Sequence, residues 1–285
     1  MSNPNPQSLV STQWLEENIT DQHVRIIDAT YHLPHADRDA YEEYTYRHIP
    51  GASYFPIDEI ADTTVILPHM MPDAEKFKNA VDAMGIGSES HVVVYDSNGG
   101  YMAATRVWWM FRAFGHDKVS VLDGGLLKWG REKRPLENVE PILPPAHFTP
   151  TPRPELVKSR EQMLANIDSG QYQVIDARSE GRFGGIDHEP RPTERKGHIP
   201  GSINLPFTRL MNPAKDFSFR DMDEIKKAFA EAAVDVNKPI ITTCGSGVTA
   251  CVVTFALHLM GVQDTSVYDG SWAEWGNDKD VPIVS

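Results

Sequence analysis

The sequence predicts an α/β protein built from two tandem domains, each a mostly parallel sheet flanked by helices. Three observations support this prediction: an internal repeat, short apolar strands that alternate with amphipathic helices, and a proline-rich segment between the two copies. The chain has 285 residues, of which 40% are hydrophobic and 24% are charged. This length suits two domains of average size.

Four short segments of the first half recur in the second half, in the same order. Their offsets lie between 146 and 150 residues. One of the four matched pairs is the motif His-Ile-Pro-Gly, which occurs once in each half. An ordered set of matches at nearly constant offset indicates two copies of one fold. The matched positions are Asp28 and Asp176, His48 and His198, Asp96 and Cys244, and Asp123 and Asp269.

The two copies are separated by a segment that should be extended. Six prolines fall between residues 136 and 154, and proline disrupts a helix because it lacks the backbone N–H. We therefore predict a linker between two domains. The predicted boundaries are residues 8–138 for the first domain, 139–157 for the linker and 158–285 for the second domain.

Within each copy, strand and helix patterns alternate. Residues 92–95 and 240–243 are continuous apolar or β-branched runs, which is typical of strands buried on both faces. Apolar residues at helical spacing predict one helix that begins after Asp73 and ends at Gly85, and another that ends at Gly261. The residues on these two stripes are Phe77, Ala80, Val81 and Met84, and Val252, Phe255, Ala256 and Leu259.

Composition argues against several classes of function. A formal net charge of −13 disfavours nucleic-acid binding, and no apolar run approaches the roughly 18 residues that span a bilayer. The first seven residues lack the pattern of a secretory signal. Two cysteines without a disulfide framework or metal-ligand spacing fit a reducing compartment. We expect a cytoplasmic protein that needs no metal or organic cofactor and does not associate with membranes.

Cys244 lies where parallel sheets place their chemistry, because it follows the predicted strand at residues 240–243 and precedes a helix. Gly245 and Gly247 allow backbone N–H groups to converge on one atom, and the helix adds its positive end. This environment predicts a thiolate nucleophile at Cys244. Cys251 stands among apolar residues and is expected to be a core side chain.

Phosphatases of the Cys-x5-Arg type also carry a cysteine loop after a buried strand. Their arginine would fall at position 250, where this chain has Ala250. Without its bidentate fork, phosphate ester chemistry loses its main electrostatic clamp. Phosphatase activity is therefore disfavoured.

These features together resemble the two-domain rhodanese sulfurtransferases. The resemblance rests on the duplicated domain, a His-Ile-Pro-Gly motif in each copy, the single cysteine loop and the segment 271–276, Ser-Trp-Ala-Glu-Trp-Gly. The loop at 244–249 is similar to that of the 3-mercaptopyruvate branch. Thiosulfate sulfurtransferases carry basic residues directly after the cysteine, where this chain has Gly245 and Ser246. The first copy has Asp96 in place of the cysteine, so it is expected to be noncatalytic, as in the family.

An anionic substrate needs a locally basic site on this acidic protein. The glycine- and proline-rich segment 177–196 carries several arginines, and the resemblance assigns substrate binding to Arg182 and Arg191. Arg178 is expected to make a structural ion pair. His48 and His198 are expected to fix the turns at the two Ile-Pro-Gly motifs.

The resemblance also implies a proton relay of Ser246, His69 and Asp58. Since His69 and Asp58 belong to the first copy, sequence alone leaves open whether the three side chains meet. An exposed loop histidine and a helix-capping aspartate are the alternatives. The other loop residues expected to contact substrate are Gly245, Gly247, Val248 and Thr249.

The function that these observations imply is 3-mercaptopyruvate sulfurtransferase activity through a persulfide on Cys244. The sulfur acceptor would be cyanide or a thiol, such as that of a thioredoxin-like protein, and pyruvate would be released. Two alternatives remain open: a thiosulfate:cyanide sulfurtransferase, and a noncatalytic rhodanese-like binding protein, which Cys244 argues against.

Overall fold

The computed structural model describes residues 7–33, 35–99 and 102–285. Residues 1–6, which carry most of the segment used to predict the absence of a secretory signal, lie outside these ranges. No helix within the described ranges is long and apolar enough to cross a membrane.

The first domain alternates strands and helices as the sequence predicts. Its strands are β1 (Leu9–Val10), β2 (Val24–Asp28), β3 (Ala52–Tyr54), β4 (His91–Tyr95) and β5 (Val119–Leu122). Its helices are α1 (Thr12–Asn18), α2 (Ala40–Tyr46), α3 (Ile57–Ile60), α4 (Ala74–Ala83), α5 (Ala103–Ala113) and α6 (Gly125–Arg131).

The second domain repeats this plan and adds a short antiparallel pair. Its strands are β6 (Val157–Lys158), β7 (Gln173–Asp176), β8 (Ile203–Asn204), β9 (Met211–Asn212), β10 (Ser218–Phe219), β11 (Ile240–Thr243) and β12 (Thr265–Tyr268). Its helices are α7 (Arg160–Ser169), α8 (Glu180–Phe183), α9 (Met222–Glu231), α10 (Ala250–Leu259) and α11 (Ser271–Trp275). Short 3-10 turns occupy Pro154–Leu156, Phe207–Leu210 and Pro213–Lys215.

The sheets of the two domains have the same topology. The strand order is β1-β5-β4-β2-β3 in the first sheet and β6-β12-β11-β7-β8 in the second. Neighbouring strands run parallel in both sheets, whereas β9 and β10 form a separate antiparallel pair. The predicted pair of tandem α/β domains is confirmed.

The predicted helices form where their apolar stripes meet the sheets. Helix α4 begins after Asp73, whose side chain accepts a hydrogen bond from the backbone N–H of Lys76, and it buries Phe77 and Val81. Helix α10 ends two residues before Gly261, as the sequence predicts.

Helices α5 and α10 pack against each other across the domain boundary. Both are buried on nearly all sides, and their apolar residues belong to a single core cluster. The Trp108 ring of α5 meets the Phe255 ring of α10 edge-on, with 4.7 Å between the ring centroids. This packing places loops of the first domain beside the cysteine loop of the second.

The proline-rich segment is extended and crosses the surface of the first domain. Phe148 is buried there, and its N–H donates to Oδ1 of Asp82 at 2.6 Å. Farther along, the N–H of Thr151 donates to the carbonyl of Phe114 at 2.8 Å. The linker is therefore fastened to the first domain, while the domain boundaries at residues 138–139 and 157–158 stay a prediction.

Candidate active site

A cavity of about 200 Å³ opens at the carboxyl ends of the strands of the second domain and is closed by residues of the first. Cys244 lies in its wall directly after β11 and is 2% exposed. Both domains contribute to the lining, which includes Tyr31, Leu33 and Met102 from the first domain and Arg182, Glu189, Arg191, Cys244, Gly245, Ser246, Val248 and Thr249 from the second.

Two glycines of the cysteine loop are required by their surroundings. Gly247 has a φ of +74°, and a Cβ there would lie 2.9 Å from the carbonyl oxygen of Asp269. A Cβ on Gly245 would lie 2.7 Å from Nη2 of Arg182. The loop thus turns sharply before α10 begins, and the Arg182 guanidinium packs against the backbone beside Cys244.

Helix α11 holds the backbone of this loop in place. The Cys244 N–H donates to Oγ of Ser271 at 3.2 Å, and the Trp272 N–H donates to the carbonyl of Cys244 at 3.0 Å. The Ala273 N–H donates to the carbonyl of Gly245 at 2.8 Å. From the sequence, residues 271–276 served only to recognise the family, and their role in positioning the cysteine loop was not predicted.

Cys251 is a core residue, as predicted. It is fully buried in α10, and its Sγ–H donates to the carbonyl of Gly247 at 3.2 Å. Burial raises the pKa of the Cys251 thiol to about 12. The side chain therefore stays a thiol at neutral pH and helps to shape the cysteine loop.

Arg191 lies at the centre of the polar groups in the cavity. Its Nη2 donates to Oη of Tyr31 at 2.5 Å and lies 2.9 Å from Nε2 of His69. Its Nη1 donates to Oγ of Ser246 at 3.4 Å. A single guanidinium therefore contacts side chains of both domains.

His69 and Asp58 meet, although both looked like ordinary loop residues in the sequence. Nδ1 of His69 lies 2.8 Å from Oδ1 of Asp58. Burial lowers the pKa of His69, whereas the contact with His69 lowers the pKa of Asp58. A neutral His69 that carries its proton on Nδ1, facing Asp58, leaves Nε2 as an acceptor for Arg191.

The three predicted relay residues therefore belong to one network, but Ser246 and His69 are not hydrogen-bonded to each other. Within the described residues, the hydrogen bonds of Ser246 and His69 converge on Arg191 rather than on each other. The Asp58–His69 contact is preformed, and Ser246 joins it through the guanidinium. The structure thus answers the question of proximity that the sequence left open.

Arg182 and Arg178 share a buried carboxylate. Nε of Arg182 donates to Oε2 of Glu189 at 3.0 Å, and Nη1 of Arg178 donates to Oε1 of the same residue at 2.8 Å. Arg178 is fully buried and also pairs with Asp176, so it makes the expected structural ion pair. Only Arg182 of these two lines the cavity, where it can contact a ligand.

Arg106 also positions the loops around the cavity, although it was not singled out from the sequence. It is fully buried in α5, pairs with Asp269 at 2.7 Å and donates to the carbonyl of His69 at 2.5 Å. It also donates to the carbonyl of Gly247 at 3.4 Å, so it fastens the His69 loop to the cysteine loop. A signal was present in the sequence, since Arg106 is a charged residue within the apolar run of α5.

In the first domain, the loop that corresponds to the cysteine loop holds a carboxyl group in place of the thiol. Asp96 is fully buried and accepts hydrogen bonds from the N–H groups of Asn98, Met102 and Ala104 at 2.8 to 3.1 Å. Its carboxyl group thus occupies the position that Cys244 has in the second copy. This loop offers no thiol, in keeping with the noncatalytic role predicted for the first domain.

The two repeated histidines serve the turns in which they stand. His48 is buried, with Nδ1 lying 2.7 Å from the carbonyl of Tyr44. His198 stacks on Phe183, with 3.7 Å between the ring centroids. Neither lines the cavity. In the part of the chain that the structure describes, no group of three or more His, Cys, Asp or Glu side chains is arranged to hold a metal ion.

A family model for the rhodanese-like domain matches residues 11–132 and 159–278, which is most of the chain and one match in each domain. The chain belongs to the rhodanese family. The family predicted from the repeat and the cysteine loop is therefore confirmed. Relatives named as sulfurtransferases are 42–44% identical over 94–96% of the chain, so this rhodanese-family chain is a sulfurtransferase enzyme.

Several known proteins resemble this chain over nearly its whole length. A 3-mercaptopyruvate sulfurtransferase from Mus musculus is 44% identical over 94% of this chain and 92% of its own length. A thiosulfate sulfurtransferase from Rattus norvegicus is 43% identical over the same shares. The crystal structure of SseA from Escherichia coli, a 3-mercaptopyruvate sulfotransferase, has a TM-score of 0.85 and 40% identity, covering 93% of this chain and 98% of that one. Because the first two identities are nearly equal, the choice of sulfur donor has to be argued from the site.

Proposed function

We propose that this chain transfers sulfur from 3-mercaptopyruvate, through a persulfide on Cys244, to a thiol or cyanide acceptor. The observation that carries the proposal is the layout of the cavity. Cys244 is followed by Gly245 and Ser246, which are not basic, and the cavity's arginines, Arg182 and Arg191, come from a separate segment. Arg182 packs against Gly245 but is paired with Glu189. Arg191 is therefore left to bind a carboxylate that lies several atoms from the transferred sulfur.

The proposed first step moves one sulfur atom and one electron pair. The Cys244 thiolate attacks the substrate sulfur, an S–S bond forms, and the bond between sulfur and C3 breaks. The electron pair of the broken bond passes to the substrate as the enolate of pyruvate. The proton of the substrate thiol then moves to C3, which yields pyruvate and leaves Cys244 as a persulfide anion.

Ser246, His69 and Asp58 are proposed to move that proton. The neutral imidazole of His69 has an acceptor at Nε2, and Asp58 holds the opposite nitrogen. In the structure, the Arg191 guanidinium contacts both Nε2 of His69 and Oγ of Ser246. A substrate carboxylate that draws Arg191 toward itself frees Nε2 to accept a proton through the Ser246 hydroxyl.

The second step returns the enzyme to its starting state. An acceptor thiolate or cyanide attacks the outer sulfur, which leaves Cys244 as a thiolate. Gly245, Val248 and Thr249 line the cavity and are proposed, together with the adjoining Gly247, to contact substrate and acceptor. We further propose a thioredoxin-like protein as a thiol acceptor and the cytoplasm as the location, although one plant relative is named as mitochondrial.

Mass spectrometry of the intact protein tests the persulfide. After 3-mercaptopyruvate is added without acceptor, we expect a gain of one sulfur atom, about 32 Da. Cys244→Ser should abolish this gain and Cys251→Ser should retain it, because the Cys251 thiol is buried with a pKa of about 12. Labelling at Cys251, or no labelling of the wild-type protein, would contradict the proposal.

Donor preference tests the choice between the two sulfurtransferase activities. Thiosulfate is a compact dianion that benefits from cations beside the sulfur, so the wild-type kcat/KM should favour 3-mercaptopyruvate. Ser246→Lys should move the ratio toward thiosulfate by at least about tenfold relative to Ser246→Ala, because one charge contact is worth a few kcal/mol. Position 246 is chosen since a side chain at 245 would displace Arg182. A wild-type preference for thiosulfate would favour the thiosulfate:cyanide activity instead.

A further inference from the structure

Tyr31 brings a phenol hydroxyl from the first domain into the cavity of the second. It follows β2 at the end of the first sheet, is 8% exposed and lies in the cavity wall. In the repeat, its counterpart is Ser179, which caps α8 at the same strand end of the second domain. The tyrosine thus belongs to the noncatalytic copy and serves a site that this copy does not contain.

The contacts of Tyr31 place it beside two residues of the proposed mechanism. Its Oη accepts a hydrogen bond from Nη2 of Arg191 at 2.5 Å, and its ring meets the His69 ring edge-on with 4.8 Å between the centroids. Arg191 donates in this hydrogen bond, so the hydroxyl proton of Tyr31 remains available to another acceptor. Within the described residues, Oη has no other hydrogen-bond partner.

That proton is retained at neutral pH. Burial raises the pKa of Tyr31 above its ordinary value, and Arg191 only partly offsets this effect. The cavity wall therefore presents a phenol O–H next to a guanidinium. Two adjacent donors of this kind match the two oxygens of a carboxylate or the oxygens of a 2-oxo acid.

We propose that Tyr31 is a specificity-determining residue, which positions Arg191 and donates a hydrogen bond to the carboxylate of a 2-oxo acid. The inference deepens the proposed function and rests on it for the identity of the sulfur donor. Thiosulfate, which lacks a carboxylate distant from its transferred sulfur, gains little from this pair of donors.

The first test measures binding without sulfur transfer. Pyruvate carries the carboxylate and keto group but no sulfur, so its Kd is measured by calorimetry for the wild-type protein and for Tyr31→Phe. We expect Kd to rise about tenfold or more, because a hydrogen bond to a charged group is lost. The phenylalanine ring keeps the packing against His69. Equal Kd values for the two proteins, or no binding of pyruvate by the wild-type protein, would overturn the proposal.

The second test separates a specificity role from a structural one. For Tyr31→Phe, KM for 3-mercaptopyruvate should rise about tenfold while kcat changes less, and kcat/KM for thiosulfate should stay within about twofold. Tyr54→Phe is the matched control, since Tyr54 lies at the same sheet end but outside the cavity. An equal loss with both donors would overturn the proposed specificity role. Absence of pyruvate release by the wild-type protein would contradict the proposed function, whereas the binding result would still decide the role of Tyr31.

Discussion

At the level of single residues, the Arg191 side chain links the two domains. Its guanidinium contacts Tyr31 and His69 of the first domain and Ser246 of the second. A lysine ammonium also has three donors, but the planar guanidinium fork fixes the directions of its donors and spreads them over two terminal nitrogens. The same fork is suited to a carboxylate, which would replace these partners when substrate binds.

Replacement of Arg191 should therefore weaken substrate binding more than it changes the reactivity of the thiol. For Arg191→Gly we expect a strong rise in KM for 3-mercaptopyruvate, since a charge-assisted contact contributes about 1.5–3 kcal/mol. Iodoacetamide should still alkylate Cys244 at a similar rate. Arg209→Gly is the control, because Arg209 pairs with Glu231 at the surface. An unchanged KM would place the anion site elsewhere.

Among the elements, the cysteine loop depends on a backbone conformation that few residues adopt. Gly247 has a positive φ and is closely approached by the Asp269 carbonyl and by Nη1 of Arg106. Gly201 has a φ of +76° but has no atom within 4 Å of a built Cβ. These two glycines therefore separate the cost of the backbone conformation from the cost of close contact.

We predict that Gly247→Ala destabilises the protein and impairs catalysis, whereas Gly201→Ala does only the former. The left-handed conformation costs about 1–2 kcal/mol for an L-residue at either position. At 247 the added methyl group must also displace Asp269 or Arg106, which moves Cys244 relative to His69. Urea unfolding and kcat/KM measure the two effects. Equal activities of the two variants would show that the loop tolerates this displacement.

The buried aspartates at the corresponding strand ends of the two copies have different hydrogen-bond and charge partners. At the end of β7, Asp176 pairs with the guanidinium of Arg178. At the end of β2, Asp28 accepts from the N–H of Thr30 at 2.9 Å and lies near the carboxyl group of Asp96. Burial raises the pKa of Asp28 to about 6, with Thr30 opposing part of that rise.

For the whole molecule, this raised pKa predicts a pH dependence of stability. The folded state favours protonated Asp28, so ionisation between the ordinary aspartate pKa of 3.8 and the raised pKa of about 6 lowers the free energy of unfolding as the pH rises. The full penalty applies above that window and amounts to about 3 kcal/mol. Asp28→Asn, which cannot ionise, should therefore gain stability relative to the wild-type protein between pH 4 and pH 7.

Urea unfolding at several pH values measures this difference. Asp62→Asn provides a control of opposite sign, because hydrogen bonds from Thr64 lower the pKa of Asp62 at the surface. The difference between Asp28→Asn and the wild-type protein should grow with pH. If it stays constant from pH 4 to pH 7, Asp28 does not titrate in that window.

A buried interface joins the two domains at the cavity. Arg106 of α5 pairs with Asp269 of the second domain and bonds to the carbonyls of His69 and Gly247. Removing one partner of such a buried pair leaves an uncompensated charge, which makes the pair sensitive to substitution. The first domain thus supplies groups that lie beside the cysteine loop of the second.

Local patterns along the chain were enough to predict the two α/β domains, the parallel sheets, the family and the burial of Cys251. Strand and helix periodicity, glycine spacing and a repeat are all readable without knowledge of the packing. The strand pattern at residues 240–243 also placed Cys244 directly after a strand. The rule that parallel sheets place chemistry at the carboxyl ends of their strands then made this cysteine the candidate nucleophile.

Which side chains of the two domains meet became known only from the packed molecule. Tyr31 and Arg191 are 160 positions apart, and Arg106 and Gly247 are 141 apart, yet each pair shares a hydrogen bond. Periodicity within one helix or strand carries no information on such pairs, because the packing of α5 against α10 brings them together. For the same reason, the placement of Arg191 between His69 and Ser246 could be seen only once the domains were packed.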